Sequence, residues 1–326
     1  MTAGPLRREP LAADGAPADV GLAEQRSEGV DHEPAPRQRS RAAAYLALTK
    51  PRIIELLLIT TVPTMLAADR GVPSLALIAA TVAGGALAAG GANAANMIYD
   101  RDIDAVMTRT RHRPLVTGEI RPASAVVFVV ALEVIAFAAL WAAANLLSAV
   151  LAVGAAAFYV FVYTMWLKRR SPSNIVIGGA AGAVPVLVGW AAVTGTVAPA
   201  PLLLFALIFL WTPPHFWALA VRYSRDYARA EVPMLPTVAS LSATARRIVS
   251  YAVATAAVGV AAGVVAHLGW VFGAIATVLG AAFVGYALAF WRSPQGRRAL
   301  HLFHFSITYL TLYFVAMAVV VVVAHP

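Results

Sequence analysis

Asn96, Asp100 and Asp104 stand four residues apart in the run NMIYDRDIDAVMTRTRHRP, Asn96 to Pro114, which also holds Asp102 and four arginines within nineteen residues. Each helical residue turns the chain by about 100°, so on a helix those three stack on one face and Asp102 points away. Like charges at i, i+4 weaken a helix, but the arrangement is sensible around a cation. Mg2+ prefers oxygen ligands and commonly joins one or two carboxylates to substrate phosphates. Arg109 and Arg113, further along, are of the type that holds phosphate by paired hydrogen bonds, and Pro114 is expected to end the element. The same residues also fit a plainer reading, in which the charges compensate one another and the arginines serve only topology.

A second polar run is WTPPHFWALAVRYSRDYARAEVPMLP, Trp211 to Pro236. Pro213 and Pro214 are expected to disturb a helix near the membrane, which is tolerated where the backbone finds other partners. Beyond them His215, Arg222 and Asp226 are expected to share a helical face, and Glu231 lies further on. Two such loops meeting over a central cavity would grip a metal-bound diphosphate from both sides. His215 equally fits a polar residue hydrogen-bonded inside the bundle.

The elements that must position these residues are set by composition. The chain has 326 residues, 60% hydrophobic and 13% charged, against about 45–50% and about 25% in soluble domains. Both departures point to an all-α polytopic membrane protein. The absence of cysteine excludes disulfides, thiolate metal sites and cysteine catalysis. Stretches of about 20 apolar residues, the length needed to cross a bilayer, lie near 51–69, 73–95, 122–143, 146–166, 173–193, 200–220, 248–268, 270–290 and 303–324, about nine helices. Residues 1–42 are rich in Pro, Ala and mixed charge and are expected to be disordered, leaving 43–326 as one intramembrane domain. That first region has no apolar core of a signal peptide and carries too many acids for a transit peptide, so a bacterial inner membrane is the expected setting. Of 25 Lys and Arg, all but Arg70 fall in the N-terminal region or in alternate loops. The positive-inside rule then places the N-terminus and both acidic loops in the cytoplasm. The net charge of +9 reflects that orientation, and no nucleic-acid partner is expected. Glu55 and Glu133 fall inside predicted spans, where acids are costly and functional candidates. Gly178, Gly179, Gly182 and Gly189 on one span either leave room for a flat ring or allow close helix packing.

Longer runs carry a resemblance. TKPRIIELLLITTVPTM, NMIYDRDIDAVMTRTRHRPL, YTMWLKRRSPSNIVIGGAAGAVPVLVGW and WTPPHFWALAVRYSRDYARAEVPMLP occur in order from about Thr49 onward. Together they resemble the intramembrane aromatic prenyltransferases of the UbiA superfamily. The Met-Thr-Arg-Thr-x-x-Arg-Pro-Leu, Pro-Pro-His-Phe-Trp and Pro-Met-Leu-Pro runs are similar to its haem-farnesylating branch. The resemblance implies nine helices around a cavity capped by cytoplasmic loops. It implies Mg2+-assisted ionisation of farnesyl diphosphate and transfer of the farnesyl group to a vinyl group of haem b, with water added. Asn96, Asp100 and Asp104 would supply the first metal site and Asp226 the second, with Arg109, Arg113, Lys168 and Arg222 holding the diphosphate. The superfamily's second motif expects a further aspartate at 230, where this chain has Ala, which leaves open whether Glu231 substitutes. His215, His112 and His301 are each possible ligands of haem iron. The resemblance further implies membrane lipid as surroundings and terminal-oxidase assembly partners such as a haem A synthase. Competing functions are another aromatic prenyl transfer, to a quinone precursor, and transport. A transporter binds near mid-membrane, whereas these acids cluster at one surface.

Overall fold

The computed structural model describes residues 39–324, apart from the side chains of 52–58. The disorder expected for 1–42 falls almost wholly outside the described residues, as does the side chain of Glu55. At its end, Ser40 already caps a helix, its Oγ accepting from the Ala43 amide at 3.3 Å.

The described chain is helical throughout: α1 (Arg41–Thr49), α2 (Pro51–Asp69), α3 (Leu75–Tyr99), α4 (Arg101–Val106), α5 (Pro122–Ala143), α6 (Leu146–Leu167), α7 (Asn174–Thr194), α8 (Pro199–Arg222), α9 (Ser224–Arg229), α10 (Leu235–Val238), α11 (Leu241–Val265), α12 (Gly269–Arg292) and α13 (Gly296–Ala324). Eight of these, α3, α5 to α8 and α11 to α13, are long and apolar enough to cross a membrane. The ninth expected segment is α2. Its 19 residues span about 28 Å, close to the roughly 30 Å hydrocarbon core, and it packs against α7 and α13.

Local chemistry sets the helix ends. Proline opens α2, α5 and α8, where its missing N–H is harmless. Ser74, Asn145 and Ser240 accept amide hydrogen bonds at the starts of α3, α6 and α11, the usual relief of unpaired first-turn donors. Asn145 also donates to the Ala191 carbonyl on α7 at 2.6 Å. The largest core joins α8, α11, α12 and α13 around Phe272, Phe283, Tyr309 and Tyr313. By contrast α5 exposes Val127, Val130, Val134 and Trp141 by more than half. In lipid such a stripe costs nothing, because acyl chains are as apolar as the side chains.

Three local expectations need correction. Pro114 does not end the first polar helix, which stops at Val106 and gives way to successive turns. Pro213 and Pro214 do not break α8, which continues to Arg222. It packs against α7, α11 and α13, and such neighbours hold a proline-bearing helix in line. The break comes instead at Tyr223, so His215, Arg222 and Asp226 do not share one continuous helix.

Candidate functional site

The site is assembled where the N-terminus of α2 and the C-termini of α3, α6 and α8 meet. Asn96 lies in the last turn of α3, and Asp100 caps the junction to α4. The i→i+4 pattern survives that junction: the Asp100 amide donates to the Asn96 carbonyl at 2.9 Å, and the Asp104 amide to the Asp100 carbonyl at 2.8 Å. Asn96, Asp100 and Asp104 therefore remain stacked and are buried, while Asp102 has 65% of its side chain exposed.

The last ten residues of α6, Phe158–Leu167, are wound as a π-helix, with the Lys168 amide reaching back five residues to the Tyr163 carbonyl at 2.8 Å. The wider winding re-aims side chains, as π segments at functional sites often do. It places Thr164 Oγ1 where it accepts from Asn96 Nδ2 at 3.1 Å, and the Lys168 ammonium in an ion pair with the buried Asp100. Gly178 of α7 makes room for this turn, since a Cβ there would meet the Tyr163 ring at 2.3 Å. Gly179 and Gly189 are likewise filled by Thr212 and by the Thr61 backbone, and only Gly182 of the four faces open space. Close packing thus accounts for three of the four glycines.

Further cations surround the acids. Arg113 donates to Asp104 at 2.5 Å. Arg169 makes two 2.7 Å bonds to Asp102 and lies 3.7 Å from Asp100. The bonds from Arg169 hold the Asp102 carboxyl at about 2, below the usual carboxylate range. Asp100 Oδ1 is buried and accepts no hydrogen bond among the described residues.

On the second loop, Asp226 is buried on α9 and pairs with Arg229. Thr108 links this loop to the first: it donates to Asp226 at 3.2 Å and accepts from Arg229 at 2.8 Å. A cleft of about 720 Å³ opens there, lined by Thr108, Arg109, Arg222, Tyr223, Arg225 and Asp226. The Arg109 guanidinium sits 5.7 Å over the Tyr223 ring. Glu231 is exposed, holds a φ of 53°, and its carboxylate makes no bond among the described residues.

Sequence reasoning missed Lys50. It sits between α1 and α2 with φ 54° and ψ 60°, a left-handed conformation costly for any residue with a Cβ. Its ammonium donates to Asn96 Oδ1 at 2.9 Å. Burial, reinforced by the Arg113 and Lys168 cations, lowers it from 10.5 to about 7. The only sequence signal was its place just before Pro51. Thr108, Thr164 and Arg229 were missed as well, because their partners lie many residues away or across a turn.

His215 lies apart from the acids. Its ring stacks on Trp211 and Phe303, at 4.3 and 4.7 Å, and its Nδ1 lies 2.8 Å from Ser306 Oγ on α13. The Ser306 hydroxyl gives its one proton to the Phe303 carbonyl at 2.6 Å. With that bond in place His215 Nδ1 is left as the donor to Ser306 Oγ, and in the neutral ring Nε2 then keeps its lone pair. His112 and His301 are exposed. Glu133 rests its carboxyl on Gly91 of α3, and neither oxygen has a partner among the described residues.

Among the described residues no three His, Cys, Asp or Glu side chains converge on one metal position. The donor set fits an ion held by one or two carboxylates, with a diphosphate completing its shell. Asp100 Oδ1, which accepts no hydrogen bond among the described residues, is an oxygen of the right kind.

The sequence profile of the UbiA prenyltransferase family matches residues 57–324. A protein of Parafrankia sp. (strain EAN1pec) described as protoheme IX farnesyltransferase is 55% identical over 285 residues, covering 86% of this chain and 91% of that one. One of Frankia alni with the same description is 54% identical over 287 residues, covering 87% and 99%. Among solved structures, a digeranylgeranylglyceryl phosphate synthase superposes with a TM-score of 0.73 at 16% identity, covering 86% and 99%. A UbiA homolog from Archaeoglobus fulgidus bound to DMAPP and Mg2+ gives 0.63 at 18%, covering 85% and 99%. At such identities the structural likeness concerns the fold.

Proposed function

Because the chain belongs to the UbiA prenyltransferase family, we propose that it transfers the farnesyl group of farnesyl diphosphate to a vinyl group of haem b, with addition of water, forming haem O. The observation that carries the acceptor is the identity of more than half to relatives described as protoheme IX farnesyltransferases, over 86% and 87% of this chain and 91% and 99% of theirs. The observation that supports the chemistry is the pair of acid–cation clusters, Asp100 with Lys168 and Asp104 with Arg113 on one loop and Asp226 with Arg229 on the other, joined through Thr108.

Asn96, Asp100, Asp104 and Asp226 are the residues that would hold Mg2+, which supplies charge to the departing diphosphate. Arg113 and Lys168 are held by Asp104 and Asp100. Arg109 and Arg222 line the adjoining cleft. We add Lys50 to this set, since its ammonium shares Asn96 with the first loop. These fixed cations stabilise the negative charge that grows as the C1–O bond of farnesyl diphosphate breaks, both electrons leaving with oxygen. The vinyl π pair then forms the carbon–carbon bond. Water adds to the resulting cation and loses a proton, leaving a hydroxyethylfarnesyl group. His215 Nε2, an unprotonated imidazole nitrogen, is suited to haem iron and is preferred over His112 and His301. The acidic loops and the arginine-rich ends at one side of the bundle support, by the positive-inside rule, a cytoplasmic assignment of that side, with a bacterial inner membrane as the proposed setting.

The test is incubation of the full chain in proteoliposomes with haem b, farnesyl diphosphate and Mg2+, with mass spectrometry of the haem. Haem O should appear and should require all three. Prenylation of an aromatic acid in the parallel reaction, with haem b left unchanged, would establish the quinone-precursor reading instead.

A further inference from the structure

Glu231 is the last acidic residue. From 232 to the end the chain holds five arginines and four histidines and no carboxylate side chain. All six ion pairs among the described residues lie within the first 229 positions. The arginines of α11 to α13 are therefore without a protein counter-ion among those residues.

Three basic residues border one feature. The end of α12 and the start of α13 enclose a cavity of about 440 Å³, lined by Tyr286, Ala289, Arg292, Arg298 and His301. It shares no lining residue with the cleft at α8 and α9. Arg298 is fixed at its rim by a 2.8 Å bond from Nη1 to the Ala289 carbonyl, which spends one of five donors. Arg292 closes the last turn of α12 and is exposed. Toward the membrane interior the wall is apolar, with Tyr286 stacked on Phe305 at 4.3 Å.

We propose that this cavity binds the phosphate of an anionic phospholipid headgroup. Both flanking helices are long and apolar enough to cross a membrane, which would set their charged ends at headgroup depth. Guanidinium groups match phosphate geometry by paired hydrogen bonds, and basic pockets between spans at the cytoplasmic side suit anionic headgroups. The aromatic wall below offers the first acyl carbons an apolar surface, which a free phosphate does not need.

The experiment uses the full chain in detergent with phosphatidylglycerol, phosphatidylcholine or inorganic phosphate, read by thermal melting and by lipid retention in native mass spectrometry. Phosphatidylglycerol should be retained and raise the melting temperature by a few degrees. Phosphatidylcholine and inorganic phosphate should not. Replacing Arg292 and Arg298 together, R292Q/R298Q, should abolish both signals, and R292Q alone, which leaves the Arg298 bond to Ala289 in place, should weaken them. The charge-matched pair R246Q/R247Q, on exposed residues of α11 outside the cavity, should keep them. Equal loss in the two double variants would show diffuse surface attraction and overturn the site. Equal stabilisation by inorganic phosphate would overturn the lipid assignment.

Discussion

Lys50→Gly separates a ligand role from a structural one. The lysine occupies left-handed backbone at φ 54°, which costs a residue with a Cβ roughly 1–2 kcal/mol and glycine almost nothing. The substitution also removes the ammonium bonded to Asn96. With the ammonium lowered to about 7 by burial, that bond is worth about 0.5–1.5 kcal/mol to the fold, whereas a charge-assisted bond to a diphosphate is worth about 1.5–3 kcal/mol. For the folded protein the two effects nearly cancel, so the melting temperature should change little. For catalysis there is no such offset. If the ammonium meets the diphosphate, kcat/KM for farnesyl diphosphate should fall roughly 10- to 150-fold, at about 1.4 kcal/mol per factor of ten. Lys50→Met removes the charge but keeps the strained backbone, so it should lose the same activity and melt lower than Lys50→Gly. The assay is initial-rate haem O formation over a farnesyl diphosphate series, beside thermal melts. Normal kcat/KM in Lys50→Gly would refute the reasoning, as would matched losses of activity and stability in both variants.

Asp100→Asn and Asp104→Asn should remove haem O formation, whereas Asp102→Asn should leave it within about fivefold, since exposed ion pairs contribute only about 0–1 kcal/mol; equal losses in all three would sink the single-face assignment. Asp226→Asn should raise the Mg2+ concentration needed for half-maximal rate, and Glu231→Gln should not, as read by Mg2+ titration; the reverse outcome would move the second metal site to Glu231. His215→Ala should shift the Soret band of bound haem b, and Ser306→Ala should shift it partway by freeing Nδ1; unchanged spectra in both would remove His215 from the iron. Gly178→Ala should cost about 1–3 kcal/mol, the usual range for overpacking, because its Cβ would meet Tyr163 at 2.3 Å; an unchanged melt would show that the π turn yields freely.

The helices and the membrane setting were legible in composition, because a span must be long and apolar whatever its neighbours. The first acidic face was legible too: spacing by four survives wherever i→i+4 bonding continues, and it continues through the α3–α4 junction. The rest depended on contacts between distant segments. Lys50 meets Asn96 across 46 positions, Lys168 meets Asp100 across 68, and Thr108 meets Asp226 across 118. No local period encodes such pairs. The π winding of α6 and the passage of α8 through Pro213 and Pro214 run against local propensity, and helices packed alongside can hold what isolated segments would not. The tautomer of His215 rests on Ser306, 91 positions away. Sequence alone determined which residue types stand at the membrane surface and at what intervals; the packing of the helices decided which of them share a site, because only packing brings the ends of α2, α3, α6 and α8 together.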